Sequence, residues 1–364
     1  MRKERVDILF LMSICAIMVG FGVAIFVLPP KSFSQKENRT LDQMPSPELS
    51  SILSGSFFRE LNGFYQDQFP LRDRFTELYA LCEKRLGKIE TNGVITTSDG
   101  LCIALPSSTN TSKIQKNLDA ISSLKEEREL YLYAPPSSFD VFNDRLPSIY
   151  PKEAKVSAPE LLEGDALEDF LELCSVANEE YYYKTDHHWT AKGAYFAYTQ
   201  ICNRMGIEPY GESYFVKEEV ANDFLGTSAS KSGLPSWLMS EDTVTLYRYD
   251  GDKNVTVHNR ETNEIKNGFY SYDALEETDK YKVFLGGNYS HLSIHTVQER
   301  PKLLLIKDSF ANSVIPFLAL HFDIEVIDPR YCSNEYLNTQ LEREDIDKTL
   351  ILMGLDTLTI NIFN

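Results

Sequence analysis

The chain has 364 residues, 43% of them hydrophobic and 25% charged, enough for one large domain with insertions or two modest ones and too apolar for a disordered protein. Its formal net charge of -18 excludes electrostatic capture of DNA, RNA or anionic lipid, which needs clustered Lys and Arg to displace counterions. An uncharged or cationic ligand suits such a chain better.

In chain order, the basic start MRKERVD is followed by residues 8–28, which carry no charge. At about 1.5 Å per helical residue this run spans the ~30 Å of a bilayer's hydrocarbon. Arg2, Lys3 and Arg5 precede it, so the positive-inside rule predicts a cytoplasmic segment 1–7, a transmembrane anchor 8–28, and everything after Pro29 outside. A cleaved signal peptide is the alternative, but the run ends in Val27-Leu28-Pro29-Pro30 without a small-residue cleavage site. Cys15 follows the bulky Ile14, which does not suit lipoprotein processing. Residues 29–51 are polar and proline-punctuated and read as a linker.

The extracytoplasmic domain is expected over 52–364. It opens with two helices, carrying Phe57, Leu61, Phe64 and Tyr65 before a break at Phe69-Pro70, and Phe75, Leu78, Tyr79 and Leu86 after it. Asp99-Gly100 signals a hairpin. A strand at 129–134 and a helical pattern in APELLEGDALEDFLELC lead to YYYKTDHHWT and then a helix in AKGAYFAYTQICNRM. Residues 207–300 break this rhythm with mixed β signals, including a second hairpin signal at Asp250-Gly251, and read as an insertion. Strands return at 302–306, 324–327 and 349–353, with a helix in FANSVIPFLALHF between the first two. Short apolar strands alternating with helices predict an α/β sandwich with a mostly parallel sheet. Cysteines 82, 102, 174, 202 and 332 have no metal or CxxC spacing and are expected to be mostly small buried residues.

Chemistry is expected where a strand ends and a helix begins. Ser309 follows the strand 302–306 across Lys307-Asp308, a position where its own N–H and the helix dipole can stabilise an oxyanion; Asp and Ser are also ordinary helix caps. A serine nucleophile needs an imidazole base and a carboxylate to orient it. Asp186 and His188, two apart, project to one side of an extended loop, with His187 pointing the other way. The same residues are also compatible with a cap made by Thr185 or Asp186, or with a metal site, although His258, His291, His295 and His321 are scattered and supply no regular third ligand. Val283-Phe284-Leu285 reads as a strand running into Gly286-Gly287-Asn288, where glycines allow close backbone approach and the Asn amide can donate to an oxyanion, or where the chain simply turns. Gly287, Asn288 and His187 are therefore the oxyanion or substrate-binding candidates.

TDHHWT, together with YAPPSS, FLGGN and LLLIKDSFANSVIPFLALHFDIEVIDPRY, resembles the DHHW family, from about Glu37-Asn38-Arg39 to the C-terminus. More distantly the chain resembles the SGNH-hydrolase-like alginate O-acetyltransferases. The resemblance implies a three-layer α/β/α SGNH-like sandwich, Ser309 as nucleophile, His188 as base, Asp186 as its orienter, and neither metal nor cofactor. Lys307 stands where SGNH enzymes have the glycine of their GDS block. The implied activity is O-acetylation of a cell-surface glycan through an acyl-Ser309 intermediate, with a membrane acyltransferase of the MBOAT type as the acyl donor. An esterase with the same triad, and a non-catalytic glycan-binding or scaffold protein, are the competing readings.

Overall fold

The computed structural model describes residues 2–34, 36, 39–106, 111–150 and 160–363, with side chains from residue 7 onward. Glu37 and Asn38, where the family resemblance begins, and residues 158–159 of the expected helical stretch lie outside them. The chain divides into two compact units, Met1–Gly87 and Lys88–Asn364.

In the first unit, α1 (Arg2–Val27) holds the apolar run, and Asp7–Val27 is long and apolar enough to cross a membrane. A short antiparallel pair, β1 (Phe33–Ser34) and β2 (Arg39–Thr40), follows. It is tied to the C-terminal end of α3 because Arg39 grips Asp67 with two bonds of 2.9 and 2.6 Å. The helices are α2 (Leu49–Ser54), α3 (Ser56–Asp67) and α4 (Arg72–Arg85), and the α3–α4 break falls at Phe69-Pro70 as expected.

The second unit opens with a small antiparallel sheet of β3 (Glu90–Thr91), β4 (Val94–Thr96) and β5 (Cys102–Ala104), whose β4–β5 turn carries Asp99-Gly100. Next come α5 (Thr111–Glu127), β6 (Leu130–Tyr133), α6 (Ser138–Val141), α7 (Gly164–Val176) and α8 (Ala191–Arg204). β7 (Val216–Phe224) and β8 (Asp242–Arg248) pair antiparallel on either side of α9 (Thr227–Ser232). The remainder is β9 (Thr256–Asn259), β10 (Ile265–Asn267), β11 (His291–His295), β12 (Lys302–Lys307), α10 (Ile315–Leu318), β13 (Asp323–Ile327), α11 (Asn334–Leu341) and β14 (Lys348–Leu352).

The main sheet has seven strands in the order β10-β9-β11-β13-β12-β14-β6. β13, β12, β14 and β6 are parallel, while β11, β9 and β10 join antiparallel. The sheet is therefore mixed, not mostly parallel: β9, β10 and β11, all within 207–300, extend it at one edge. Local alternation marks a strand but does not choose its neighbour. Asp250-Gly251 likewise makes a turn, with Gly251 at φ 92°, but no hairpin, since β8 pairs with β7 and β9 with β10 and β11.

Apolar residues on successive positions of the central strands face opposite ways. Leu303, Leu305, Leu350 and Leu352 belong to one core with Ala194, Tyr198 and Ile201 of α8 and with α10. Leu304, Ile306 and Ile351 belong to another with α5, α7 and α11. Both faces are covered, which is why β12 and β14 read as continuous hydrophobic runs. Among the described residues none of the six cysteines forms a disulfide; Cys102 and Cys202 are buried, whereas Cys82 is exposed.

Candidate active site

β12 lies at the centre of the parallel part of the sheet and delivers Lys307, Asp308 and Ser309 to its carboxyl end. The corner is set by Asp308, whose carboxylate accepts from Phe310 N at 3.0 Å and from Gly354 N and Thr357 Oγ1 at 2.8 Å each. Instead of the expected helix, a five-residue 3-10 turn (Ser309–Ser313) and the four-residue α10 follow, with Pro316 in α10's first turn. Ser309 thus keeps a first-turn N–H without an intrahelical acceptor, but little macrodipole stands behind it.

YYYKTDHHWT folds back on itself through an isolated bridge between Tyr182 and Trp189, with Tyr183 N donating to His188 O at 3.2 Å and Thr190 N to Tyr181 O at 2.8 Å. Trp189 is fully buried and its indole N–H donates to Phe310 O at 3.0 Å and Ser313 Oγ at 2.9 Å, pinning the loop to the Ser309 turn. Neither Thr185 nor Asp186 caps α8. Thr190 does, while Thr185 donates to Asp242.

The loop brings Asp186, His188 and Ser309 into one line. His188 Nε2 lies 2.8 Å from Ser309 Oγ, and His188 Nδ1 lies 2.5 Å from Asp186 Oδ1. Asp186 Oδ2 accepts from Thr227 N at 2.7 Å and Thr227 Oγ1 at 2.8 Å, at the start of α9. Burial alone would raise the Asp186 carboxyl, but His188, His187 and these hydrogen bonds outweigh it and hold the group ionised, well below the usual carboxylate range. The His188 ring lies flat on Tyr281, with centroids 3.9 Å apart and planes 4° apart. Tyr281 in turn donates to Ser309 O at 3.1 Å. Imidazole and serine are therefore braced by the same tyrosine.

His187 does not point away from this line, because residues 184–188 form a bend and not an extended strand. Its ring centroid is 3.8 Å from that of His188, and Nδ1 lies 2.6 Å from Thr227 Oγ1. Asp186, His187 and His188 together bring three ligand-type atoms within 4.8 Å of one another. Both carboxylate oxygens and both His188 nitrogens are already engaged, however, which leaves His187 Nε2 as the ligand atom of the cluster with no partner among the described residues.

Gly287 and Asn288 approach from another direction. Val283 and Phe284 are not a strand: a 3-10 turn covers Lys280–Val283, and Leu285, Gly286 and Gly287 then stand at φ 64°, 81° and 120°. This run of left-handed backbone is what the two glycines permit. Asn288 Oδ1 accepts from Lys307 Nζ at 2.8 Å and Asn312 Nδ2 at 3.1 Å. An ammonium can only donate, so the amide oxygen must face it, and the Asn288 NH2 is left as a further donor. Lys307 is fully buried, donates also to Asn312 Oδ1 at 2.8 Å, and lies 3.4 Å from Asp328. Burial pushes its ammonium down to about 8 against the opposing pull of Asp328. Arg330 completes the cluster, clamping Asp328 with bonds of 2.9 and 2.6 Å.

A cleft of about 250 Å³ opens over Ser309, His187 and Asp308. Ser137, Asp140 and Arg330 give it polar walls, and Leu105, Phe170 and Phe310 apolar ones. Gly287 and Asn288 do not line it. Thr227, Tyr281, Lys307, Asp328 and Arg330 were not singled out as site residues in the sequence. Within the quoted C-terminal motif, DPRY holds Asp328 and Arg330, and Lys307 stood out only as the residue at the SGNH glycine position.

The model of the DHHW protein family matches residues 168–327. A DHHW family protein from Eubacterium siraeum has a similar structure at 20% identity and a TM-score of 0.60, covering 75% of this chain and 94% of its own. Bacillus cereus PatB1, solved with a sulfonyl adduct, is similar at 20% identity and a TM-score of 0.55, covering 74% and 99%. The O-acetyltransferase domain of Pseudomonas putida AlgJ follows at 14% identity, a TM-score of 0.42, and 74% and 92% coverage. No curated protein matches the chain. The two higher-scoring similarities establish a shared mixed α/β fold, and residues 168–327, which hold Asp186, His187, His188 and Ser309, carry the DHHW family pattern.

Proposed function

We propose that the domain is an extracytoplasmic serine acyltransferase that O-acetylates a cell-surface polysaccharide. The observation that carries this reading is the unbroken hydrogen-bonded chain from Ser309 Oγ through His188 to a buried, ionised Asp186. In the first half-reaction His188 Nε2 takes the Ser309 proton as Oγ attacks the acyl carbonyl of the donor. The carbonyl electron pair moves onto oxygen, where the Ser309 N–H meets it. Collapse of the tetrahedral intermediate restores the carbonyl and expels the donor's leaving group, which receives the proton from His188. In the second half a glycan hydroxyl attacks acyl-Ser309, giving its proton to His188, which returns it to the departing Ser309 Oγ. Asp186 holds the tautomer that makes Nε2 the basic nitrogen. PatB1, of the same fold, has been solved with a sulfonyl adduct, and such adducts form on a nucleophile, which supports this reading.

In this reading α1 anchors the domain, and a membrane acyltransferase of the MBOAT type supplies the acyl group. The test is labelling with a serine-directed fluorophosphonate, together with turnover of a chromogenic acetyl ester. Wild type is expected to be labelled and Ser309→Ala not. Equal labelling of the two proteins sinks the assignment, and acetate released to water with none transferred to any offered oligosaccharide makes the domain an esterase.

A further inference from the structure

The triad leaves one imidazole unused, and its hydrogen bonds fix its tautomer. Thr227 Oγ1 has a single hydrogen and gives it to the ionised Asp186 Oδ2 at 2.8 Å. Towards His187 Nδ1, 2.6 Å away, it can therefore only accept. His187 is the Nδ1–H tautomer, and its Nε2 carries a bare lone pair. Burial against the cleft wall and the neighbouring His188 hold this ring neutral, below the ordinary imidazole value, although solvent reaches 40% of its side chain. The ring lines the cleft beside Ser309, and the two imidazole centroids are 3.8 Å apart. Each of these two adjacent rings thus keeps Nε2 as its acceptor nitrogen. His188 Nε2 serves the reacting oxygen, and His187 Nε2 has no partner within the chain among the described residues.

We infer that His187 is an acceptor-positioning residue: its Nε2 takes a hydrogen bond from a hydroxyl adjacent to the one being acylated, so the acceptor class is a vicinal diol of a sugar ring. Neighbouring ring carbons carry hydroxyls at a spacing of the order of that between the two imidazoles. Ser137, Asp140 and Arg330 on the cleft walls offer further partners to a hydroxyl-rich ligand. Water has no second hydroxyl, so the contact favours transfer over hydrolysis. This inference rests on the acyl-transfer reading.

The test compares a methyl pyranoside with its deoxy analogue, which lacks the neighbouring hydroxyl, in wild type and in His187→Asn. The Asn amide reproduces the Nδ1–H donor to Thr227 but has no equivalent of Nε2. In wild type the diol is expected to be preferred about tenfold in kcat/KM, mostly through KM, as one neutral hydrogen bond allows. In His187→Asn that preference falls to near one, and the ratio of transfer to hydrolysis falls with it. His187→Gln, which places an amide near Nε2, is expected to recover part of the preference. Retention of the full diol preference by His187→Asn overturns the inference while leaving the triad standing, as does stoichiometric zinc in protein purified without chelator that is lost in His187→Asn. Absence of acyl transfer to any acceptor by wild type overturns the acyl-transfer reading instead.

Discussion

Lys307 shows how much of this site depends on a single buried charge. An ammonium enclosed beside Asp328 and bonded to two asparagine oxygens replaces the small residue that an SGNH-like turn would lead one to expect. Its ammonium is depressed in the folded protein to about 8, from 10.5 in the open chain. Below pH 8 both states hold the proton, and the folded state bears the full cost of the buried charge. Between about 8 and 10.5 the unfolded chain binds more protons than the native one, so the Lys307 contribution to stability rises with pH. The rise is on the order of 3 kcal/mol at most, at 1.36 kcal/mol per unit. Lys307→Met is expected to abolish this rise in denaturant titrations run across that window. It should also lower stability at neutral pH by about 1–3 kcal/mol, because the Asn288 and Asn312 oxygens lose their donor. A wild type whose stability, relative to Lys307→Met, is flat from pH 8 to 10.5 contradicts the assignment. Ser309, His188 and Asp186 were legible in the sequence because residue type, spacing and position after a strand all point to one chemistry. Thr227 and Lys307 were not, because their roles come from contacts across 41 and 19 residues of chain that no local pattern encodes; Arg330 bonds to Asp328 only two residues back, but its place on the cleft wall comes from the fold.

At the scale of elements, the DHHW loop is wedged between α8 and α9, and a glycine makes each approach possible. A Cβ on Gly193, in the first turn of α8, would lie 2.3 Å from Tyr181 O and 2.8 Å from Trp189 Cβ. A Cβ on Gly226, just before α9, would lie 2.3 Å from Asp186 Cβ and 2.5 Å from its Oδ2. Neither glycine has a positive φ, so the constraint is space and not backbone conformation. Gly226→Ala must push Asp186 away from Thr227, from His188, or from both. Overpacking of this kind costs about 1–3 kcal/mol, and the displaced carboxylate should weaken the base. A fall of roughly 10²-fold or more in acetyl-ester turnover is expected, since losing the orienting acid of such a triad costs up to about 10⁴ in related chemistry. Unchanged turnover in a folded Gly226→Ala protein would show that the Thr227 contact is dispensable. The strands at 130–133, 302–307 and 348–352 were legible because apolar residues stand on both their faces, and 323–327 because Ile324, Val326 and Ile327 do so beside Asp323 and the buried Glu325. The helix expected after Ser309 is shorter than FANSVIPFLALHF because this stretch is mostly apolar, and near-complete burial looks the same in a long helix as in a 3-10 turn with one short helix. Register and neighbour choice in β9, β10 and β11 were hidden for a related reason: a short half-buried strand pairs with whatever edge the chain returns to.

For the whole molecule, the decisive question is what α1 does. The 21-residue stretch from Asp7 to Val27 is apolar enough to cross a membrane, almost none of it is buried, and Ile8, Leu9, Phe10, Leu11, Met12 and Met18 are exposed. A surface of that extent is unfavourable in water on a monomer, and the proposed anchor would cover it with lipid. Within the same unit Phe21 stacks on Phe69 at 5.1 Å and Phe26 meets Tyr65 edge-on at 5.9 Å, so aromatic rings collect where the apolar helix meets α3 and the α3–α4 turn. Aromatic rings at such a junction suit a membrane–water interface, where one edge is apolar and the other wet. The full chain is therefore expected to stay with the membrane fraction after high-salt and carbonate washes, at unreduced length and without loss of residues 1–28. Removal of those residues should release it. Because Ser309, His188, Asp186 and every residue lining the cleft belong to Lys88–Asn364, the released protein should still be labelled at Ser309 by the fluorophosphonate. It should nevertheless fail to acetylate surface glycan in cells, since the acyl donor of the proposed reaction is made at the membrane. A full chain recovered from the wash supernatant, or one shortened by cleavage after the apolar run, would make α1 a signal sequence and leave acyl supply to be explained without an anchor.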